Sequence, residues 1–327
     1  MRAWQFHETG DIRNLVLAEV PEPVPQQGEV LVRVQYAALN PADRYLVQGQ
    51  YPRAGAPPFT PGRDGSAVVT QAVPGGHFRE GDQVCLLGGL TGISKPGMFA
   101  DYAAVPEVWL APCPEGWDLR VSAAGPLTFL TAWRALVVCG GLKSGETVLV
   151  TGASGGVGSA AVMLGAALGA RVIALSRSEE KRAALLEMGA AAALDTDAPD
   201  IEKQVRAALE GAKLDLAVEN LGGPWLDRCA RMAGMGGRIM VVGLLAGLTA
   251  EVTVGLLIHK NLRVEGLSVS NYAPEEAQAA WRQMVRLMDD GGLRPHVDAV
   301  FGVSQPQEAF ARLAEGPLGK VLVDFFV

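Results

Sequence analysis

A glycine-rich turn is the segment of this sequence with the clearest chemical meaning. Residues 147–150 (TVLV) read as a strand, and the turn 151–158 (TGASGGVG) separates them from a helical pattern that continues to Gly169. The turn follows the pattern G-x-G-x-x-G with Ala153 in the first glycine position; Gly155 would let the backbone approach a pyrophosphate, and Gly158 would let helix and strand pack closely. The helix N-terminus adds N–H donors and a positive dipole end. We therefore assign a dinucleotide cofactor to Ala153, Ser154, Gly155, Gly156, Val157 and Gly158.

The end of the next predicted strand indicates which dinucleotide is bound. An acidic residue about 20 positions after the glycines usually holds the ribose 2′-hydroxyl of NAD. Here the strand 171–175 ends at Ser176 and Arg177, and Lys181 lies one turn into the following helix. A hydroxyl beside a guanidinium suits the 2′-phosphate of NADP, because arginine donates charge-assisted, bidentate bonds. We predict NADPH, and the alternative is that these are ordinary exposed charges around a helix start.

The elements around the glycine turn divide the chain into three segments. Residues 1–122 are strand-like and punctuated by Pro/Gly clusters, which predicts a mostly β domain of short antiparallel strands. A helical pattern from Ala123 to Cys139 opens residues 123–264, where strands alternate with Ala/Leu-rich helices, as in a doubly wound parallel sheet. Residues 265–327 depart from that rhythm, and we expect them to return to the first domain. The fold class is α/β.

Composition excludes several classes of protein. With 49% hydrophobic and 19% charged residues among 327, the chain can bury a sizeable core. Its net charge of −7 gives no bulk basic surface for nucleic acid or an anionic membrane. The N-terminus lacks the apolar core of a secretory signal, no run of about 18 apolar residues occurs, and the four cysteines form no CxxC pair. We expect a cytoplasmic protein with reduced thiols.

Several stretches together resemble the medium-chain dehydrogenase/reductase superfamily, and within it the zinc-independent quinone oxidoreductase (zeta-crystallin-like) branch. The stretches are residues 38–43 (ALNPAD), 61–65 (PGRDG), 78–84 (FREGDQV), 126–133 (PLTFLTAW) and the glycine turn. The resemblance implies a GroES-like catalytic domain completed by the C-terminal segment, a Rossmann domain between them, and an active site in the cleft. It also implies a homodimer or homotetramer, and the strand 238–242 with the apolar stretch 244–258 would supply the sheet edge for it.

The resemblance also implies roles for individual residues. Asn40 and Thr131 would lie beside the nicotinamide and the acceptor, while Tyr45 and Tyr51 would line the substrate mouth, where either contacts substrate or only packs. Asn220 would lie near the adenosine ribose or the nicotinamide, although Glu219-Asn220 replaces the usual Asp. The remaining residues expected at the cofactor are Val242, Gly243, Leu244, Leu267, Ser268 and Lys320.

The sequence lacks the zinc ligands of the related alcohol dehydrogenases. Those enzymes carry a Cys in the segment matching residues 38–43 and a Gly-His-Glu motif matching Gly62-Arg63-Asp64; here no Cys lies near Asn40, and the cationic Arg63 cannot ligate a metal. We predict no metal and an NADPH-dependent, zinc-independent reduction of quinones or α,β-unsaturated carbonyls by hydride transfer. Two alternatives remain open: an enoyl-thioester reductase of the same superfamily, and an NADPH-binding protein with little turnover.

Overall fold

Short strands dominate the first third of the chain, in keeping with its frequent Pro/Gly punctuation. The computed structural model describes residues 1–51 and 53–326. Two short 3₁₀ turns, Ile12–Asn14 and Glu107–Trp109, join strands. The elements are β1 (Arg2–Gln5), β2 (Val16–Glu19), β3 (Glu29–Ala38), α1 (Pro41–Val47), β4 (Gly65–Gln71), β5 (Gln83–Leu86), β6 (Tyr102–Pro106), β7 (Leu110–Pro112) and α2 (Leu119–Ala124).

Strands and helices then alternate, as the sequence predicted. The middle elements are α3 (Pro126–Trp133), β8 (Thr147–Val150), α4 (Gly156–Ala167), β9 (Arg171–Leu175), α5 (Glu179–Glu187), β10 (Ala192–Leu194), α6 (Ile201–Ala208), β11 (Leu214–Glu219), α7 (Trp225–Met232), β12 (Ala233–Val241), α8 (Val254–His259) and β13 (Arg263–Gly266). The chain ends with α9 (Pro274–Asp290), β14 (Val297–Gly302), α10 (Pro306–Ala314) and β15 (Lys320–Asp324).

The helical pattern from Ala123 to Cys139 is interrupted once in the structure. The chain forms α2, then α3, then a π-helical turn over Arg134–Val138. The break falls at Gly125-Pro126, because proline disfavours helical geometry in the residue before it and is suited to the first position of a new helix.

The chain folds into two compact units. The first comprises Met1–Leu127, Tyr272–Arg282 and the chain from Pro295 onward, and the second comprises Thr128–Asn271 and Gln283–Arg294. The boundaries at 127/128 and 271/272 lie a few residues from those predicted at 122/123 and 264/265. The assignment of a catalytic and a cofactor-binding role to the domains stays a prediction.

The C-terminal strands complete the main sheet of the first unit. Its strand order is β14-β15-β3-β4-β5-β7, with β6 also paired to β3. All of these pairs are antiparallel except β14 with β15, which is parallel. Leu322 of β15 stands opposite Ala38 of β3, and the Leu39 N–H donates to Val321 O at 2.9 Å. The chain's last strand is thereby fixed beside the end of β3.

Aromatic side chains fill the core of this unit. The Trp4 ring lies 5.2 Å from that of Phe99 and 6.1 Å from that of Phe325, and Phe99 meets Phe310 edge to face at 6.3 Å. The Trp4 Nε1–H donates to Val303 O at 2.7 Å, so its one polar group is satisfied inside the core. Residues from both ends of the sequence therefore share one core.

A six-stranded parallel sheet forms the second unit. Its order is β10-β9-β8-β11-β12-β13, and every pair is parallel. The central strands are mostly apolar and almost completely buried, as expected where helices cover both faces of a sheet. The strand order reverses direction between β8 and β11, the point at which such sheets bind ligands. The α/β fold class is confirmed.

The edge of this sheet differs from the one expected. The strand predicted at residues 238–242 belongs to β12, which is an inner strand with β11 on one side and β13 on the other. The edge strand is β13, whose sequence Arg-Val-Glu-Gly gives too weak an apolar signal to be recognised as a strand. Among the residues that the structure describes, no helix is long and apolar enough to cross a membrane.

Candidate active site

The glycine turn lies at the carboxyl end of β8 and is held by tight backbone packing. The Ala153 N–H donates to Leu175 O at 2.9 Å, which ties the turn to the end of β9. Gly152 has a φ of +55°, and a Cβ on Gly158 would stand 2.3 Å from Gly152 O. A side chain at position 158 would collide with backbone that cannot move away. Gly158 therefore performs the close-packing role predicted for it.

The turn is open around Gly155, in contrast to its close packing at Gly158. Gly155 is the N-cap of α4, and a Cβ there would meet only Gly152 O, at 3.6 Å. The first N–H groups of a helix have no intrahelical acceptor, so the start of α4 offers donors and a positive dipole end to an anion. The residues present fit the pyrophosphate of a dinucleotide.

Asn220 presents a buried acceptor next to the turn. Its Nδ2 donates to Thr151 O at 2.8 Å, and its N–H donates to Thr151 Oγ1 at 2.9 Å. Asn220 is only 8% exposed, and its buried Oδ1 accepts no hydrogen bond from the described residues. A buried acceptor without a donor is costly. An Oδ1 held in this way fits a hydroxyl or amide donor of a bound nucleotide.

Glu219 holds the loop that carries Asn220, a role that sequence reasoning left in doubt. Its carboxylate accepts from the N–H groups of Leu221 at 2.7 Å and Gly222 at 2.9 Å, and from Thr151 Oγ1 at 3.1 Å. Burial raises the pKa of this carboxyl despite these bonds. The signal in the sequence was an acidic residue at a strand end, followed three residues later by two consecutive glycines.

The ends of the next two strands reach the same edge of the sheet. The Val242 N–H donates to Glu219 O at 2.8 Å, and a Cβ on Gly243 would stand 2.1 Å from Asn220 O, so only glycine fits there. The Leu267 N–H donates to Val241 O at 3.1 Å. Leu244 and Ser268 follow directly, with Leu244 exposed and Ser268 half-buried. The predicted cofactor residues of β11, β12 and β13 thus lie along the edge that carries the glycine turn, while Thr131 is buried on α3.

The segment after β9 is a turn with its charges facing outward. Ser176 is buried, Arg177 is exposed and Lys181 is half-buried in the first turn of α5. Arg182 Nη1 donates to the carbonyls of Ser176 at 3.0 Å and Arg177 at 2.9 Å. Arg182 therefore fixes the backbone of the predicted 2′-phosphate segment.

In the first unit, the loop before β4 carries the residues that match the Gly-His-Glu motif of the zinc enzymes. The loop 60–62 is bonded to the segment 97–99, with the Met98 N–H donating to Gly62 O at 2.9 Å and the Phe99 N–H to Pro61 O at 3.0 Å. Gly62 has a φ of +109°, and a Cβ there would lie 2.5 Å from the Phe99 nitrogen. Arg63 and Asp64 follow on this fixed backbone, and Asp64 O accepts from the Ala38 N–H at 2.9 Å.

A buried ammonium group links three of these segments. Lys320, at the start of β15, is 4% exposed, and its Nζ lies 2.6 Å from Asn40 Oδ1, 3.1 Å from Asp64 Oδ2 and 2.9 Å from Leu39 O. Asp64 is fully buried, and burial raises the pKa of its carboxyl even though the neighbouring ammonium opposes the rise. The structure thus joins Asn40 to Lys320, two predicted site residues that are 280 positions apart.

Arg63 forms a second cationic contact. Its Nη1 donates to the Tyr51 hydroxyl at 2.8 Å, and its guanidinium lies 5.2 Å from the centre of the Tyr51 ring. Tyr45 is half-buried on α1, where burial raises the pKa of its hydroxyl. In the part of the chain that the structure describes, no three His, Cys, Asp or Glu side chains are grouped so that they could hold a metal ion.

Asp43 is a buried carboxyl with one unsatisfied oxygen. Its Oδ2 accepts the Asn40 N–H at 2.9 Å, which fixes the start of α1, whereas its Oδ1 has no partner within the described chain. Burial raises the pKa of Asp43 to about 6, and the nearby Arg63 and Lys320 limit the rise. The site therefore contains two buried carboxyls and two buried cations.

The second unit is a Rossmann-type sheet whose strand ends fit a dinucleotide, and the first unit is a GroES-like sheet. This combination defines a dehydrogenase fold, and comparison with known proteins agrees. Residues 26–115 match the family model for the alcohol dehydrogenase GroES-like domain, and residues 156–290 match that for zinc-binding dehydrogenase. The chain is 31% identical to quinone oxidoreductase-like protein 2 of Bos taurus, over 95% of this chain and 89% of that one. It is 29% identical to quinone oxidoreductase of Pongo abelii, over 99% and 97%.

Solved structures show the same fold along the whole chain. One described as an NAD-dependent alcohol dehydrogenase superimposes with a TM-score of 0.90 at 30% identity, covering 99% of both chains. A mycobacterial protein complexed with NADPH superimposes with a TM-score of 0.90 at 25% identity, also over 99% of both. The chain belongs to the medium-chain dehydrogenase/reductase superfamily, in its zinc-independent quinone oxidoreductase branch, as the resemblance predicted.

We predict a pH-dependent stability difference between the wild type and Asp43→Asn. Because the pKa of Asp43 rises on folding from 3.8 to about 6, the folded chain is increasingly penalised as pH rises through this interval. Asparagine retains an acceptor for the Asn40 N–H and carries no charge. The free energy of unfolding of the variant, relative to wild type, should therefore increase by roughly 2.4 kcal/mol between pH 4 and pH 7.

Urea unfolding of both proteins at several pH values measures this difference, and comparing the two cancels the titration of carboxyls that they share. Arg206→Ala, on the exposed side of α6, is a control that should follow the wild-type pH profile. A difference that stays constant with pH would contradict the raised pKa.

Proposed function

We propose that the chain is an NADPH-dependent oxidoreductase that reduces quinones or α,β-unsaturated carbonyls by hydride transfer. Its curated relatives are named quinone oxidoreductases, and one similar structure contains NADPH. The nicotinamide supplies the hydride when NADPH is bound. The chain's own contribution is to bind the dinucleotide, orient the acceptor and stabilise the charge that arrives on its oxygen.

The observation that carries the proposal is the presence of fixed cations where zinc-dependent relatives have metal ligands. Arg63 takes the place of the histidine in the Gly-His-Glu motif, and the Lys320 ammonium is bound to Asp64 at the next position. A guanidinium and an ammonium are donors only and cannot ligate a metal. The positive charge near an acceptor therefore comes from side chains, which suits quinones and enones because these are already electrophilic.

Tyr51 has a hydroxyl group that can donate a hydrogen bond to the carbonyl oxygen of the substrate. Its hydroxyl oxygen accepts from Arg63 Nη1, so the hydroxyl hydrogen is left for another acceptor. We assign the acceptor carbonyl to that hydrogen. Asn40 and Thr131 are assigned to the nicotinamide and the acceptor on the family resemblance, and Tyr45 to the wall of the substrate mouth.

The second unit is assigned to the dinucleotide. The start of α4 and the turn 153–158 would hold the pyrophosphate, and Asn220 Oδ1 would accept from the nicotinamide-side ribose or amide. Val242, Gly243, Leu244, Leu267 and Ser268 would border the same part of the cofactor. These assignments use the sheet edge at which the strand order reverses.

The choice of NADPH over NADH rests on the segment after β9. One similar structure is described as NAD-dependent and another contains NADPH, so relatives alone leave both coenzymes open. No carboxylate stands at the end of β9, where the ribose hydroxyls of NAD are usually held; Ser176 and the exposed Arg177 stand there instead. We assign the 2′-phosphate to Ser176, Arg177 and Lys181.

Turnover in the absence of metal tests the function directly. We expect the purified protein to oxidise NADPH with an ortho-quinone, and more slowly NADH, at a rate unchanged by a chelator such as EDTA. The measurement is the loss of nicotinamide absorbance with each coenzyme, and a zinc-dependent alcohol dehydrogenase that the chelator inactivates is the control. Absence of turnover with either coenzyme would refute the reductase, and an enoyl-thioester substrate or cofactor binding without turnover would then be tested.

Arg177→Ala should weaken the binding of NADPH and leave the binding of NADH nearly unchanged. Loss of a charge-assisted contact to a phosphate should raise KM for NADPH by about 10- to 100-fold and leave KM for NADH within about twofold. Arg206→Ala, another exposed arginine of the second unit, is the matched control and should change neither value. Equal effects of Arg177→Ala on both coenzymes would remove the 2′-phosphate assignment.

We further propose that the chain forms a homodimer or homotetramer through the edge of the parallel sheet. The edge strand β13 has β12 on one side, and no other strand within the described residues pairs with its free side. Near it in sequence, apolar side chains are exposed to unusual degrees, with Leu248 at 79%, Ile258 at 72% and Val254 at 63%. An unpaired strand beside apolar surface favours pairing with a second copy.

Charged substitutions at the β13 edge of the parallel sheet should dissociate the proposed oligomer. Val264→Lys with Ile258→Glu should convert the oligomer to a monomer, measured by light scattering coupled to size exclusion. Val24→Lys, at a fully exposed apolar residue of the first unit, is the control and should leave the mass unchanged. A monomeric wild type at micromolar concentration would contradict the proposal.

A further inference from the structure

Lys320 uses all of its hydrogen-bonding capacity within the first unit. A lysine ammonium has three donors and no acceptor. Here the Nζ bonds to Leu39 O, Asn40 Oδ1 and Asp64 Oδ2, at 2.9, 2.6 and 3.1 Å. The group is nearly completely buried, and each contact is with an oxygen. The three donors are therefore matched by three acceptors, and none is left for a phosphate of the cofactor.

The backbone places this ammonium where it is. Gly319 has a φ of +75°, and a Cβ on it would stand 2.3 Å from His296 O, so the turn before β15 admits only glycine without a shift. The Lys320 N–H donates to the same His296 O at 3.0 Å. Because Val321 O accepts from Leu39 N–H, the first residue of β15 lies beside the residue that follows β3. The position of Nζ is thus determined by the sheet.

The two hydrogen-bond partners of the Asn40 side-chain amide determine the positions of its oxygen and its nitrogen. Lysine can only donate, so the amide atom facing Nζ must be the oxygen. The other atom lies 3.1 Å from Ala38 O, which can only accept, so it must be the nitrogen. Asn40 Oδ1 is therefore engaged by Lys320 and one hydrogen of Nδ2 by Ala38 O. The Asn40 amide also lowers the pKa of the nearby Asp64 carboxyl, but within the described chain Ala38 O is the one acceptor that Nδ2 reaches at normal hydrogen-bond length, which leaves its second hydrogen available to a bound group.

We propose that Lys320 is a positioning residue that makes Asn40 a hydrogen-bond donor, and not an acceptor, toward the bound reactants. The inference rests on the proposed function, in which Asn40 contacts the nicotinamide or the acceptor. A donor there stabilises negative charge arriving on an acceptor oxygen. It also replaces the earlier assignment of Lys320 to the cofactor, because an ammonium with three bonds has no donor to offer it.

Lys320→Met is the main test, since methionine keeps the length of the side chain and removes the donors. We expect kcat to fall roughly 10- to 100-fold, the size of effect that misplacement of a reacting group produces. The Kd for NADPH, measured by fluorescence, should stay within about twofold. Asn40→Ala should lower kcat similarly, and the double variant Asn40→Ala/Lys320→Met should lose no more than either single variant, because the two residues act as one unit.

Two further variants separate positioning from stability. Lys320→Met leaves Asp64 buried and unpaired, which is destabilising, so Asp64→Asn/Lys320→Met removes both charges. This double variant should regain much of the lost thermal stability without regaining kcat. Lys260, in the second unit, also donates to three oxygens, those of Ala230, Arg231 and Ala233. Lys260→Met is the matched control, and it should lower stability without changing kcat.

The side-chain amide of Asn40 gives a readout that does not depend on turnover. The chain has five asparagines, so selective ¹⁵N-asparagine labelling yields few side-chain signals, and Asn40→Ala identifies the one that matters. In the protein without substrate, Lys320→Met or Asp64→Asn/Lys320→Met should shift this signal strongly, and Lys260→Met should not.

The outcomes distinguish this inference from the proposed function. If the wild type shows no quinone turnover, the proposed function fails, while the amide signal and the NADPH affinity still decide the role of Lys320. A tenfold or greater rise in the Kd for NADPH in Lys320→Met, or an Asn40 amide signal unchanged by it, would overturn the inference. So would additive losses of kcat in Asn40→Ala/Lys320→Met.

Discussion

The ion pair between Lys320 and Asp64 connects segments of the first unit that lie far apart in sequence. Lys320 begins the last strand, Asp64 follows the loop 60–62, and Leu39 and Asn40 follow β3. An ammonium without an anion could not stay buried here, and an isolated carboxylate could not either. The pair therefore requires β15 to lie beside β3, and the same pairing closes the aromatic core that Trp4 and Phe325 share.

The cofactor side of the fold was predictable because its signals are local. A glycine turn between a strand and a helix, and strands alternating with helices, each involve neighbouring residues, and parallel strands bring their carboxyl ends to one edge. Asn220, Val242 and Leu267 were named through the family resemblance, and the structure has them at this edge.

Other features were not predictable because they depend on contacts between distant residues. Nothing near Lys320 in sequence indicates that its partners lie about 280 positions away, and the bond from Arg63 to Tyr51 depends on how the loop 60–62 is held by residues 97–99. The edge strand β13 was missed because half of its residues are charged. The helix break at Gly125-Pro126 is different, because the proline was a readable signal.

Stability alone is a poor explanation for the buried charges. Replacing a buried ion pair with apolar side chains of similar volume is often neutral or stabilising, so Lys320 and Asp64 gain the fold little over a well-packed apolar pair. An apolar pair, however, could not orient an amide. Asn40 alone could rotate its amide by half a turn at little cost, exchanging donor and acceptor. The ammonium on one side and Ala38 O on the other exclude that rotation. The buried charge is best understood as fixing the direction of one N–H.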